Sequence, residues 1–189
     1  MVFKFSYILI IIITGIPFLG NSQALNTTKV VGEYSNYDYA YKIHLPEGFV
    51  AYRSSAPNPN HGFGAYLDKA KSAYLWVDAS YNTLLWQNLE EAIDSTIAFL
   101  KNESNSDIVV LLREPARLDS LSAYHSIVRY KNNNGVFYLE ETLLAPRRQP
   151  HGDDIVHSIN LRTPESMMPK HKKLFNQLGN NFVLQRLPK

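Results

Sequence analysis

Three residues carried by successive alternating runs, His125, Glu141 and His157, form the sharpest chemical candidate in the sequence. Two imidazoles and a carboxylate on one face offer nitrogen and oxygen ligands to a metal, or a histidine oriented by a glutamate for acid-base work. They share a face only in a particular register. Pairing Tyr130 with Val136 sets His125 opposite Glu141, and a roughly symmetric second loop sets Glu141 opposite His157. A slip of one residue would send these groups to opposite faces. A cross-strand polar ladder, with a histidine satisfied by a carboxylate, needs only the register itself, so it is the expectation; no catalytic residue, metal or cofactor is assigned.

The other polar concentrations lie in loops. Residues 54–61 hold two prolines, two asparagines and two serines, and place Asn58, Asn60 and His61 on a candidate binding rim. Between Pro146 and Pro150 and just beyond them stand Arg147, Arg148, His151, Asp153 and Asp154. A metal held by His151 with Asp153 would need three or four converging ligands, which a flexible loop presents only with outside help. A solvated rim that contacts a protein is the expectation, with Arg148 as a contact because guanidinium forks suit interfaces. His61-Gly62-Phe63-Gly64 lacks the Lys and Ser/Thr of a phosphate-binding loop and reads as the start of a hairpin. No serine sits in a Gly-x-Ser-x-Gly elbow. Tyr34, Tyr37, Tyr39 and Tyr41 offer a binding face in principle, but on alternating strands they are expected to be half-buried sheet residues.

The elements that must position these groups centre on residues 122–162. Ala123 to Tyr130 and Val136 to Leu144 alternate apolar with polar across the turn cluster Lys131-Asn132-Asn133-Asn134-Gly135, and Ile155 to Leu161 is a third run. Upstream, residues 23–36 are polar and aperiodic, a lead-in. Tyr37 to Leu45 alternates, and Leu45-Pro46-Glu47-Gly48 predicts a type I turn that returns Phe49 to Arg53 antiparallel. Phe63 to Leu67 and Ala73 to Ser80 form a second hairpin. Asn88-Leu89-Glu90-Glu91 is a capping box opening a helix with Ile93, Ile97 and Leu100 on its apolar stripe. Ile108 to Leu112, continuously apolar, predicts a buried strand broken by Pro115, with Ala116-Arg117-Leu118 a continuation after a bulge, and Asp119-Ser120 a turn. Thr163-Pro164 predicts a second helix start, with Met167, His171, Leu174, Phe175 and Leu178 on one stripe and either a kink at Pro169 or a restart there after a short first turn. Phe182 to Leu187 is an edge strand.

The chain opens as an export signal, with Lys4, an apolar stretch from Tyr7 to Leu19, and a small-residue exit at Gly20-Asn21-Ser22. Thr14, Gly15 and Pro17 interrupt that stretch, which falls short of the ~20 residues of a span. The expectation is removal after Ser22 (Ala24 is the other cut), leaving no stable membrane span. The organisation is then a signal peptide at 1–22, a lead-in at 23–36 and a single α+β domain at 37–189. With 19 basic and 17 acidic residues in 189, the charge of +2 supports neither a nucleic-acid footprint nor a polybasic membrane patch. The absence of cysteine excludes disulfides and thiol chemistry, and export without disulfides points to a bacterial periplasm.

The order of elements, with Ile43-His44-Leu45-Pro46-Glu47-Gly48-Phe49, Pro115-Ala116-Arg117 and the closing Gly179-Asn180-Asn181-Phe182, resembles the PsbP-like fold. That fold is shared by the extrinsic photosystem II subunit, a Ran-binding import factor and small bacterial envelope proteins. The resemblance covers Tyr37 to Leu187 and implies an antiparallel sheet flanked by two main helices. It also implies protein binding rather than catalysis, one version being an immunity-type inhibitor of a toxic effector. No functional residue carries over position by position. The expectation is therefore an exported, non-enzymatic domain that binds another protein of unknown identity, with no cofactor. The alternative is a metal-dependent or acid-base enzyme using His125, Glu141 and His157.

Overall fold

The computed structural model describes residues 27–54, 61–82, 88–103, 105–149 and 154–186. The leader at 1–22 and the loop residues Asn58, Asn60, His151 and Asp153 lie outside the described residues.

The strands are β1 (Thr27–Val30), β2 (Glu33–Asn36), β3 (Tyr41–His44), β4 (Ala51–Ser54), β5 (Phe63–Tyr66), β6 (Tyr74–Tyr81), β7 (Ser106–Leu118), β8 (Leu121–Lys131), β9 (Phe137–Arg147), β10 (Ile155–Pro164) and β11 (Phe182–Leu184). The helices are α1 (Leu89–Asn102) and α2 (Met168–Asn180). Eight strands make one antiparallel sheet in the order β1-β4-β5-β6-β10-β9-β8-β7, and three make a second in the order β11-β3-β2. The chain is thus α+β, with a large antiparallel sheet and two helices.

Within the lead-in, β1 and β2 are ordered strands, which the sequence concealed because both are short and one-sided. The hairpin expected between residues 37–45 and 49–53 does not form. β3 pairs instead with β2 and β11, and β4 pairs with β1 and β5. The turn between them falls one residue later than predicted: Phe49 N donates to Pro46 O, and Gly48, at φ +75°, supplies the left-handed residue. Tyr37 to Ala40 form a turn and not a strand, leaving Tyr37 exposed while Tyr34, Tyr39 and Tyr41 pack inside. Those buried rings are core and not a binding face.

The β5–β6 hairpin and its faces match expectation: Ala73, Leu75, Val77 and Ala79 are buried, and Tyr74, Trp76, Asp78 and Ser80 alternate with them half-buried. The glycines of the 61–64 segment serve backbone proximity. A Cβ at Gly62 would stand 1.8 Å from the Val77 carbonyl oxygen, and one at Gly64 would stand 1.9 Å from the Tyr74 hydroxyl. α1 begins where predicted, with the Asn88 side chain accepting from Glu91 N at 3.0 Å. Its Leu100 packs with Val128 and Tyr130 of β8. Earlier on the same strand, His125 stacks on Phe175 of α2 at 6.2 Å between ring centroids.

The prolines settle what their neighbourhoods left open. Thr163-Pro164 closes β10, a short 3-10 turn at Glu165–Met167 follows, and α2 starts at Met168 with Pro169 in its first turn. Of the two expectations at Pro169, a restart after a short first turn is the one observed; there its missing N–H costs nothing, so no kink is needed. Pro115 lies inside β7, which continues through it; β7 is an edge, and edge strands tolerate proline. The apolar run within β7 is not buried: Val109 is 48% exposed and Leu111 52%. The ladder to β8 slips between Ser106 and Val109 and again between Val110 and Leu112.

Candidate functional site

The meander β8-β9-β10 sets the geometry of the His/Glu row, and its register differs from the predicted one. Tyr130 pairs with Tyr138, His125 with Leu143, Glu141 with Ile127 and Leu161, and His157 with Ala145. β9 extends through Pro146 to Arg147, which shifts the centre of the second loop. Both displacements are even, two residues and four, so no side chain changes face. His125 and Glu141 become diagonal neighbours, a relation long side chains can span. Nε2 of His125 lies 2.7 Å from Glu141 Oε1. His157, four residues along β10 from the partner of Glu141, is about 13 Å away at strand rise and does not join the row.

The pair has two further members that the sequence reading missed. Glu114 on β7 places Oε1 3.3 Å from His125 Nδ1, and Lys172 on α2 places Nζ 3.7 Å from Glu141 Oε1. Glu114 was within reach of the sequence. A two-residue turn at Asp119-Ser120 pairs Leu118 with Leu121 and hence Glu114 with His125. Glu141 is fully buried, and its Oε2 has no hydrogen-bond partner. With carboxyls against both ring nitrogens, His125 can satisfy both only as the doubly protonated imidazolium. The hydrogen bond that His125 donates to Glu141 raises its pKa, burial opposes, and Glu114 adds to the rise. An imidazolium without a free nitrogen neither ligates a metal nor accepts a proton. Among the described residues, no group of three or more His, Asp or Glu converges as a metal centre.

His157 is a different object. It is fully buried, lies edge-on to the rings of Tyr41 and Phe182 at 5.4 Å each, and has no partner at either nitrogen. Burial, helped by the charge of Arg147, pushes its pKa down to about 4. It is a neutral core ring.

The described ends of the two polar loops meet at one end of the large sheet. The ring of His61 lies tilted against Tyr39 at 4.6 Å between centroids, and Tyr39 meets Tyr81 at 5.4 Å. The His61 carbonyl accepts from the Tyr41 hydroxyl at 2.7 Å and from Asn36 Nδ2 at 3.0 Å. Asn82 N donates to Asp154 O at 2.8 Å, joining the end of β6 to the start of β10. Arg147 turns inward, giving Nη1 to Ala40 O at 3.2 Å and Nη2 to Gln185 O at 2.9 Å. It braces the edge, while its neighbour Arg148 is exposed. No helix among the described residues is long and apolar enough to cross a membrane.

No family model matches the chain, and no curated protein matches it. Among solved structures it is similar to CyanoP, the PsbP protein of the cyanobacterium Synechocystis, at 15% identity and a TM-score of 0.57, over 87% of this chain and 96% of that one. A Pseudomonas aeruginosa protein of unknown function aligns at 10% identity and a TM-score of 0.50, over 79% of this chain and 99% of the other. The Ran-binding protein Mog1p of Saccharomyces cerevisiae aligns at 15% identity and a TM-score of 0.49, over 85% and 96%. The fold is PsbP-like, as the sequence resemblance implied. Likeness at these identities establishes the fold alone.

Proposed function

We propose that this chain is a non-enzymatic binding domain, exported to the bacterial periplasm after loss of residues 1–22, that engages another protein through the sheet end where the 54–62 and 146–154 loops meet. The observation that carries the reading is that the described ends of the two loops meet at one end of the sheet: Asn82 N donates to Asp154 O, Arg147 pairs with Ile155 and braces Ala40 and Gln185, and the His61, Tyr39 and Tyr81 rings pack together beside them. Asn58, Asn60, His151 and Asp153 belong to the same two loops. A rigid frame under polar loops is the arrangement in which loop residues select a partner without paying for ordering the frame. The finer form is an immunity-type inhibitor that neutralises a toxic effector.

Affinity capture from envelope extract with the mature chain tests this. A stoichiometric partner that is retained by wild type and lost with Arg148→Glu or His61→Ala supports the reading. Recovery of no stoichiometric partner, or indifference to both substitutions, sinks it. N-terminal sequencing of the periplasmic form tests the cut at Ser22.

One observation favours the enzymatic alternative, the unpartnered Oε2 of Glu141 beside His125. Metal analysis of the purified chain, with His125→Ala and Glu141→Ala, separates it from the binding reading.

A further inference from the structure

We propose that Asn134 is a site of spontaneous conversion to aspartate and isoaspartate, and that the side chain of Asn132 holds that conversion in check. The inference is independent of the binding reading above. Asn134-Gly135 is the one Asn-Gly pair in the sequence, and it stands exposed at the tip of the β8–β9 hairpin. Glycine carries no Cβ to shield its amide nitrogen, so it is the neighbour that leaves an asparagine side chain most open to attack from the backbone.

The reaction needs only solvent. Gly135 N gives up its proton to water or hydroxide and attacks Cγ of Asn134. The new N–Cγ bond closes a five-membered imide as the Cγ–Nδ2 bond breaks, and the nitrogen takes a proton from solvent and leaves as ammonia. Water then opens one of the two imide carbonyls. Opening at Cγ restores an ordinary chain with aspartate, and opening at the main-chain carbon leaves isoaspartate, with the side-chain methylene inserted into the backbone. Either product sets a carboxylate near Lys131, whose Cε lies 3.8 Å from where a Cβ on Gly135 would stand.

The turn opposes the first move. Gly135 N donates to Asn132 O at 2.9 Å, so the proton that must leave is engaged and the amide cannot swing onto Cγ while that bond holds. Asn132 Oδ1 accepts from Asn134 N and from Val136 N, both at 3.0 Å, as asparagine does when it caps a turn two residues on. Asn132 N donates to Val136 O at 2.9 Å, and Gly135, at φ +77°, closes the loop in the left-handed conformation. All of these bonds run through Asn132. Attack must therefore wait for the tip to open, and the rate is the intrinsic one scaled by the open fraction.

The full mature chain is held at mildly alkaline pH, in buffer and in concentrated urea, and digests taken over time are followed by mass spectrometry, with isoaspartate methyltransferase labelling to score the rearranged form. In the folded wild type, Asn134 is expected to convert before any other asparagine, and more slowly than it does in urea. Asn132→Ala is expected to convert in buffer at least about fivefold faster than wild type, the worth of roughly one net hydrogen bond. In urea the two chains should convert alike. Asn132→Asp keeps an acceptor oxygen in the same place and is expected to stay close to the wild-type rate. Equal acceleration by both substitutions would trace the effect to a damaged fold and overturn the role of Asn132. Another asparagine converting first, a folded rate equal to the rate in urea, or an Asn132→Ala rate no faster than wild type also overturns the inference.

Discussion

Nε2 of His125 stands 2.7 Å from Oε1 of Glu141, a largely covered ring on one strand serving a carboxyl that the next strand buries completely. The folded pKa of His125 is raised, so the stabilisation it provides is fully present below the unfolded value near 6.5 and is lost as pH rises through the folded pKa. Thermal unfolding of wild type across this range should show that loss at the alkaline side, and His125→Leu should lack it. The same substitution removes the nearest donor to a buried carboxyl and should cost roughly 1–3 kcal/mol at pH 6.

His157 has the opposite sign. Its folded pKa is held down at about 4, so the folded chain refuses a proton that the unfolded chain takes up below about 6.5. Its contribution is whole above pH 6.5 and is lost as pH falls towards 4, a change of roughly 3 kcal/mol. Urea unfolding at pH 7.5 and pH 4.5 should show this. His157→Leu, which removes both unpartnered nitrogens, should flatten the acid limb.

The two glycines of the 61–64 segment should respond differently to a methyl group. Gly62→Ala forces Cβ against the Val77 carbonyl, so backbone must move and the hairpin should be severely destabilised. Gly64→Ala meets the Tyr74 hydroxyl end, a side chain that can lift away. Tyr74→Ala should recover much of the loss at Gly64 and none at Gly62, a difference that a double-mutant cycle reads directly.

Arg162 gives Nη2 and Nε to Oε2 of the buried Glu140 at 2.9 and 3.0 Å. Arg162→Met should cost about 2–3 kcal/mol because it strands an acid. Adding Glu140→Met should return most of that stability, measured by denaturant midpoint at constant slope.

Local signals and long-range pairing were legible to different degrees. The β5–β6 hairpin, the Asn88 cap and the turn at Asp119-Ser120 rest on neighbours in sequence, and each formed as read; the 131–135 turn formed with its strands two residues out of the predicted register, and the α2 stripe buries Met168 in place of Met167. The partners of β3 did not form as read, because nothing near Tyr41 encodes that Phe182 to Leu184 will return beside it. The Ile108 to Leu112 run misled because apolar content alone does not distinguish a central strand from an edge. At the candidate site, His125 and Glu141 came together despite a wrong register, since displacement by an even number preserves the face. His157 did not, since the same displacement carried it along the strand. Lys172 approaches from a helix whose docking no local pattern specifies.

Leu111 follows Val110 at the second slip of the β7 ladder, in a stretch that leaves three large apolar side chains, Val109, Val110 and Leu111, open on an edge strand. A copy of this strand laid alongside would lose step within a few residues, so lateral growth into stacked fibrils stalls at geometry and not at charge. Excising that single leucine should remove the second slip and leave only the one near Ser106, and storage at high concentration should then yield more thioflavin-positive deposit than wild type gives.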